Sequence, residues 1–366
     1  MTRAIKTMLL LAGATLLVAG CSKQDVFGGK YSRKAGDPVV FGVKSSSEIG
    51  TRTQYRNVTE YPTQDGKKIQ PIDWIQGDMI RIYSPDCKRA SWDQPMQWAD
   101  YKIKSVDNTA DNGVSKGFLE NVTPVGLAWE DEGNHTFYGI YPSPGTTEGN
   151  TPDGTTGKFA YTIPDAQEIG AQMQYAFMTG AAAENAGVTG DAVLLEFKPG
   201  FTAFKIQMTL AEPTIIHGFE MNSTSTNLAG ACTVNYTGVT PAYACASNKK
   251  KITVDFNDKQ YAANATFEII LFAAPIDLKD LSISFNVSTP SITPGTTTPP
   301  RTNTLALKYG TNPPAGHTAG ETVVFGATKM HVLKGIVSPN STQLIQVNSQ
   351  VVDWTSKGVQ NVDVIP

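Results

Sequence analysis

Residues 281–287 read Leu-Ser-Ile-Ser-Phe-Asn-Val. Leu281, Ile283, Phe285 and Val287 alternate with small polar residues, and a period of two places all four on one face of a β-strand. Just upstream, Phe267-Glu268-Ile269-Ile270-Leu271-Phe272 is nearly all apolar, the pattern of a strand buried on both faces. Ile252, Val254 and Phe256 alternate again. Residues 193–197 and 201–208 form two more such runs, separated by the turn Lys198-Pro199-Gly200, and residues 215–221 and 344–354 continue the series.

The first half carries the same signature. Phe159, Tyr161 and Ile163 alternate, and residues 137–141 (Phe-Tyr-Gly-Ile-Tyr) stop at Pro142. Trp98, Tyr101, Ile103 and Val106 mark another strand. Residues 69–83 are interrupted by Gly77-Asp78, a turn signal between two extended runs. Val39, Val40, Phe41 and Val43 make a short first strand, ended by Lys44-Ser45-Ser46-Ser47. The one helix candidate is the Ala- and Gln-rich region 171–177 and 181–186, within which 175–178 fits a strand equally well. Short strands between turn signals define an all-β chain built of sandwiches or Greek-key barrels. The Gly/Thr segment 187–191 is read as a domain boundary.

Composition agrees. The 366 residues give a prior of about two domains. Hydrophobic residues reach 40% while charged residues are only 17%. The chain therefore buries real cores under a surface of Thr, Ser, Asn and Gln. A formal net charge of −3 does not support the basic surface that nucleic acid requires.

The amino terminus reads as an address. Arg3 and Lys6 precede an apolar run over residues 8–18, which is too short for a bilayer span and suits a secretory leader. Leu17-Val18-Ala19-Gly20-Cys21 then resembles the lipobox of bacterial lipoproteins, in which the Cys becomes the acylated first residue. Residues 1–20 are thus a lipoprotein signal peptide and Cys21 is the lipidation site. Residues 21–37, polar and basic, read as a flexible tether. Of the other cysteines, Cys232 and Cys245 flank a hairpin that brings them together, either as a disulfide or as two buried thiols. Cys87 reads as a lone thiol.

No constellation for catalysis emerges. His135, His217, His317 and His331 are scattered, no Cys-x-x-Cys occurs, and no metal site or cofactor is expected. Asp107, Asn108, Asp111 and Asn112 lack the oxygen spacing of a calcium loop. Asp73 with Asp78, and Glu130 to Glu132, sit beside turn residues rather than as an acid/base pair. Trp92 is the candidate for an exposed sugar-stacking ring.

The lipobox at Cys21, the strand 39–43 before Thr51-Arg52-Thr53, the run 72–83 (Ile-Asp-Trp-Ile-Gln-Gly-Asp-Met-Ile-Arg-Ile-Tyr), the run 135–142 (His-Thr-Phe-Tyr-Gly-Ile-Tyr-Pro) and the run 201–206 (Phe-Thr-Ala-Phe-Lys-Ile) occur in an order that resembles the fimbrillin family of Bacteroides-type bacteria. These are lipoprotein pilins and pilus-associated surface proteins. The resemblance implies two tandem transthyretin-like, Greek-key β-sandwich domains, mapped here to 38–190 and 191–366. It implies an outer-membrane, surface-exposed protein that is not an enzyme. It also implies assembly by proteolytic removal of the first strand and insertion of a neighbouring subunit's strand, an instance of β-augmentation. Val39, Val40, Phe41 and Val43 map to the removable strand. Arg52 maps to the cleavage residue, with Arg56, Lys44 and Arg33 as competitors and a solvated loop charge as the plain alternative. Ile345, Val347 and Val351 alternate and map to a donor strand, or to a final strand paired within its own domain. Expected partners are other pilus subunits, the outer membrane through acyl chains, and surface glycans or proteins. The alternative function is a non-polymerising surface lipoprotein that binds glycans.

Overall fold

A computed structural model describes residues 30–45, 54–55, 63–64, 67–68, 72–89, 98–107, 116–122, 125–143, 158–169, 177–187, 189–235, 241–246, 248–291, 298–310, 313, 315–341, 346–352 and 361–364. Among them every regular element is a strand. The first series is β1 (Phe41–Ser45), β2 (Gln54–Tyr55), β3 (Thr63–Gln64), β4 (Lys67–Lys68), β5 (Ile72–Asp73), β6 (Met79–Tyr83), β7 (Cys87–Arg89), β8 (Trp98–Asp107), β9 (Lys116–Asn121), β10 (Leu127–Trp129), β11 (Asn134–Tyr141), β12 (Lys158–Ile163), β13 (Ala166–Glu168), β14 (Met178–Asn185) and β15 (Val193–Pro199). The second is β16 (Thr202–Leu210), β17 (Thr214–Ser223), β18 (Gly230–Asn235), β19 (Ala242–Cys245), β20 (Lys251–Tyr261), β21 (Thr266–Ala273), β22 (Leu281–Ser288), β23 (Arg301–Ala306), β24 (Met330–Val337), β25 (Gln346–Val352) and β26 (Asn361–Val364).

Seven strands of the first series close on themselves in the order β1-β15-β14-β11-β6-β8-β9. The sandwich expected for this half is therefore a barrel. The reason is β1, which pairs in parallel with β15 and antiparallel with β9, so that neither edge of the sheet stays open. Phe41, Val43, Ile80, Ile82, Tyr101, Ile103, Phe137 and Leu195 fill the interior. The 281–287 pattern is realised as β22. It lies in the sheet β13-β20-β17-β22-β23, which packs on a second sheet, β21-β16-β24-β25-β26. Their faces meet through Phe219, Phe285 and Phe256 on one side and Phe267 on the other, with ring centroids of Phe267 lying 5.5 Å from Phe256 and 5.7 Å from Phe285. This half is a sandwich.

Three further sequence expectations change. Residues 181–186 are not helical. The stretch 181–185 belongs to β14, which pairs along its whole length with β11, and this tertiary pairing outweighs the helix preference of alanine. The boundary at 187–191 falls between β14 and β15, two barrel neighbours, so the barrel runs on through Pro199. Conversely β12 and β13, from the first half, pair with β18 and β20 of the second. The two halves are thereby laced together. The small sheet β12-β18-β19 covers the outer face of the barrel, where Phe159, Phe177 and Val234 pack on Tyr83 and Ile140.

The third change concerns the tether. Residues 30–37 are docked on the barrel. Tyr31 bridges to Gly190, Gly36 N–H donates to the Trp129 carbonyl at 2.7 Å, and Val39 N–H donates to the Leu127 carbonyl at 2.9 Å.

Candidate functional site

The site follows from how β1 is held. Its Cα partners are Val193 to Phe197 on β15 for residues Phe41 to Ser45, and Phe118, Gly117 and Lys116 on β9 for Gly42, Val43 and Lys44. Alternation sends Phe41 and Val43 inward, where they are 1% and 0% exposed. The Phe41 ring lies edge-on to Tyr101 and to Phe137, both at 5.1 Å. Val39 is also buried and Val40 half-buried. Burying one Val or Phe side chain contributes roughly 1.5–3 kcal/mol. The strand thus supplies several kcal/mol of apolar burial, and both of its backbone edges are engaged. Without β1, the barrel would present an apolar floor of Tyr101, Ile103, Phe137 and Leu195 between two unpaired strand edges.

The segment ahead of β1 acts as a strap with one deep peg. Arg33 is only 6% exposed. Its Nη1 donates to Glu184 Oε2 at 2.8 Å and its Nη2 to the Asp191 carbonyl at 2.7 Å. The guanidinium also lies 5.5 Å from the Trp129 ring centroid, a cation–π contact. Gly190 leaves room for it, since a methyl there would lie 2.5 Å from Arg33 Cζ. At the outer end, Lys30 pairs with Asp191 at 3.0 Å in solvent. Sequence reading missed this peg because a lone Arg in a polar stretch carries no local signal of burial.

Among the basic residues weighed for cleavage, Arg33 is shielded, and Lys44 sits inside β1 with its amine 3.4 Å from Glu196. Arg52 and Arg56 lie outside the described residues, as do Cys21, Ile345 and Trp92. Val347 and Val351 lie on β25, which pairs with β24 on one side and β26 on the other. Cys232 and Cys245 are directly opposed across β18 and β19 and form a disulfide, with Cα atoms 4.1 Å apart. Beside it Tyr161 donates to the Gly200 carbonyl at 2.7 Å and Tyr243 to the Pro199 carbonyl at 3.1 Å. Burial pushes the Tyr243 phenol up to about 12 and raises that of Tyr161 as well, so both remain neutral donors that tie this flap to the end of β15.

The other candidates have structural roles. Asp78 accepts from the Ile75 N–H and closes the turn before β6. His135 accepts at Nε2 from the Glu130 N–H, and its Nδ1 lies 3.2 Å from the Gly133 carbonyl. Cys87 is a buried thiol pushed up to about 12, chiefly by burial, and is unreactive as a nucleophile. Among the described residues no group of three His, Cys, Asp or Glu side chains is placed to hold a metal ion.

Fold and site together define an all-β chain in which a barrel, closed by its own first strand, is laced to a sandwich. Solved structures similar to it include two candidate cell adhesion proteins. That from Bacteroides uniformis is 16% identical, with a TM-score of 0.49 and coverage of 87% of this chain and 98% of its own. That from Bacteroides ovatus is also 16% identical, with a TM-score of 0.49 and coverage of 89% and 100%. The tip fimbrial protein Mfa3 from Porphyromonas gingivalis, with C-terminal truncation, is similar at 7% identity and a TM-score of 0.44, covering 87% of this chain and all of that one. No protein-family model matches the chain, and no curated protein sequence does.

Proposed function

We propose that this protein is an outer-membrane lipoprotein, acylated at Cys21, that serves as a structural or adhesive pilus subunit and assembles by strand replacement. The observation that carries the reading is the double engagement of β1, which closes the barrel from both sides while contributing Phe41 and Val43 to its interior. A strand of this kind is protective while present, because an open groove with unpaired edges is a template for unwanted pairing. Once it is removed, the same groove accepts an extended strand from a neighbouring subunit. Backbone hydrogen bonds then give affinity, and side chains at alternate positions give register. Cleavage after Arg52 or a nearby basic residue would release strap and β1 together. The C-terminal segment with Ile345, Val347 and Val351 at alternating positions is the proposed donor, and β25, which holds Val347 and Val351, would have to leave its place beside β24 to act. Several acyl chains on Cys21 would anchor the subunit stably before cleavage.

N-terminal sequencing of the protein recovered from the cell surface tests this. The expected result is a blocked, acylated Cys21 in the unassembled form and a new terminus after a basic residue C-terminal to β1 in SDS-resistant oligomers. Oligomers that retain residues 39–43 would overturn strand replacement. Cys21→Ala protein that still partitions with outer membrane would overturn the anchor.

A further inference from the structure

The outer face of the sheet β13-β20-β17-β22-β23 carries an open trough of about 490 Å³. An irregular pairing makes it. The register between β17 and β20 shifts between Ile216 and Gly218, and this bulge turns His217 and Gly218 toward the same outward face. Opposite, Asn257 and Asp258 take left-handed backbone angles of 51° and 56°. Asp258 thereby reaches His217 Nδ1 at 2.6 Å, while Ser288 Oγ lies 2.9 Å from Nε2. The imidazole is held from both nitrogens as the end wall of the trough.

Gly218 forms the floor, between Asp255 on β20 and Asn286 on β22, with Thr302 on β23 next in the row. Its φ is not in the left-handed region, and a methyl placed on it would meet only the Val254 carbonyl, at an ordinary 3.5 Å. Neither backbone nor packing demands glycine here. What the missing side chain leaves is space. Glu220 and Ser284 form the next row. The lining is therefore polar, short and mixed in donors and acceptors, without an exposed aromatic ring. An anionic ligand would meet the carboxylates of Asp255 and of Glu220, the latter paired with Lys251 at 3.0 Å, and no metal-holding group of three occurs among the described residues. Carboxylate, amide and hydroxyl groups in adjacent rows match the vicinal hydroxyls of a sugar.

We propose that this trough binds a neutral oligosaccharide, with Asp255, Asn286 and Thr302 as the hydrogen-bonding residues over the open floor at Gly218. The proposal stands independently of strand replacement. The test is amide chemical-shift mapping of the folded full-length mature chain with maltotriose, triacetylchitotriose and a sialylated trisaccharide, each at about 10 mM, a level suited to weak single-site sugar binding. At least one neutral probe is expected to shift amides of residues 217–220, 253–255 and 284–286 while leaving β16 and β24 unmoved. Gly218→Leu, which fills the floor, should weaken that binding at least tenfold with unchanged thermal unfolding. Asn286→Ala serves as a second check if the leucine variant does not fold. Silence of both neutral probes, preference for the sialylated one, or unaltered binding by a folded Gly218→Leu would each overturn the assignment.

Discussion

Gly139 stands directly opposite Gly180 across β11 and β14, and the ring of Phe197 covers both. A methyl on Gly139 would lie 2.4 Å from Phe197 Cζ, and one on Gly180 would lie 2.8 Å from its Cδ2. Trp74 packs edge-on against the same ring at 5.5 Å. Two glycines and one aromatic ring thus set how deeply β15 sits in the barrel. Because β15 is the parallel neighbour of β1, this seat fixes the wall against which β1 pairs.

Gly139→Ala should accordingly destabilise the barrel by about 1–3 kcal/mol through overpacking. The double variant Gly139→Ala/Phe197→Leu should recover part of the loss by making room. Urea unfolding of both variants checks this. A double variant less stable than the sum of the two single changes would show that the ring is not what the methyl meets.

The pair Arg81 and Asp100 sits on the other side of the barrel wall. Arg81 donates from Nε and Nη2 to the two carboxylate oxygens of Asp100, each at 2.8 Å, and Arg81 is 1% exposed. The guanidinium is stacked on Trp98 at 3.7 Å, and Ser143 donates to Asp100 as well. Arg81→Met should cost about 3–5 kcal/mol, because it strands a buried carboxylate. Arg81→Met/Asp100→Leu should restore much of that, since removing both charges removes the desolvation penalty too. Equal losses in the single and double variants, measured by denaturant unfolding, would contradict the pairing.

How much of this was legible beforehand depends on the range of the interaction. The 281–287 alternation became β22 and the Gly77–Asp78 signal became the turn before β6, because strand faces and turns are encoded locally. Cys232 and Cys245 were legible as facing residues for the same reason, as arms of one hairpin. The parallel pairing of β1 with β15 was not, since its partners are some 150 positions apart and period-two patterning names a face without naming a neighbour. β14 was misread toward helix because its alanines and glycine leave space for Phe197, a reason found only in the fold. The trough at Gly218 also escaped, because a bulge breaks the alternation that sequence reading relies on.

The strap predicts a specific opening. Arg33→Gln removes a buried cation with two hydrogen bonds; a net loss equal to one charge-assisted bond, roughly 1.5–3 kcal/mol, raises the population with the strap undocked by about 10- to 160-fold. Trypsin cleavage after Lys34 in the folded protein should accelerate by that factor, and amide exchange of Gly42 to Lys44 should rise with it. Amides of β16 and β24 should be unchanged. A uniform rise across both halves would indicate general destabilisation and no strap.

Acid should weaken the sandwich through His331. This residue is buried beside Phe204 and Phe325, with ring centroids at 5.3 Å and 5.0 Å, and its Nε2 lies 3.1 Å from the Gly326 carbonyl. Burial lowers its pKa from 6.5 to about 4; the Gly326 carbonyl and Asp277 act in the raising direction and Lys329 in the lowering one. Below pH 6.5 the unfolded chain takes up a proton that the folded chain refuses until about pH 4. His331 therefore contributes fully above pH 6.5, and its contribution falls by about 3 kcal/mol as pH drops to 4. Asp165, Asp280, Glu120 and Glu321 also have lowered pKa values, through hydrogen bonds to Lys249, Ser225, Lys102 and the Thr318 N–H respectively, so total stability declines further in acid. The difference between wild type and His331→Leu isolates the histidine, because the carboxylates are common to both. That difference, from urea unfolding at pH 7, 5.5 and 4, should shift by about 3 kcal/mol in favour of the variant across the window. A difference that stays flat would mean that His331 is not held neutral by the sandwich core.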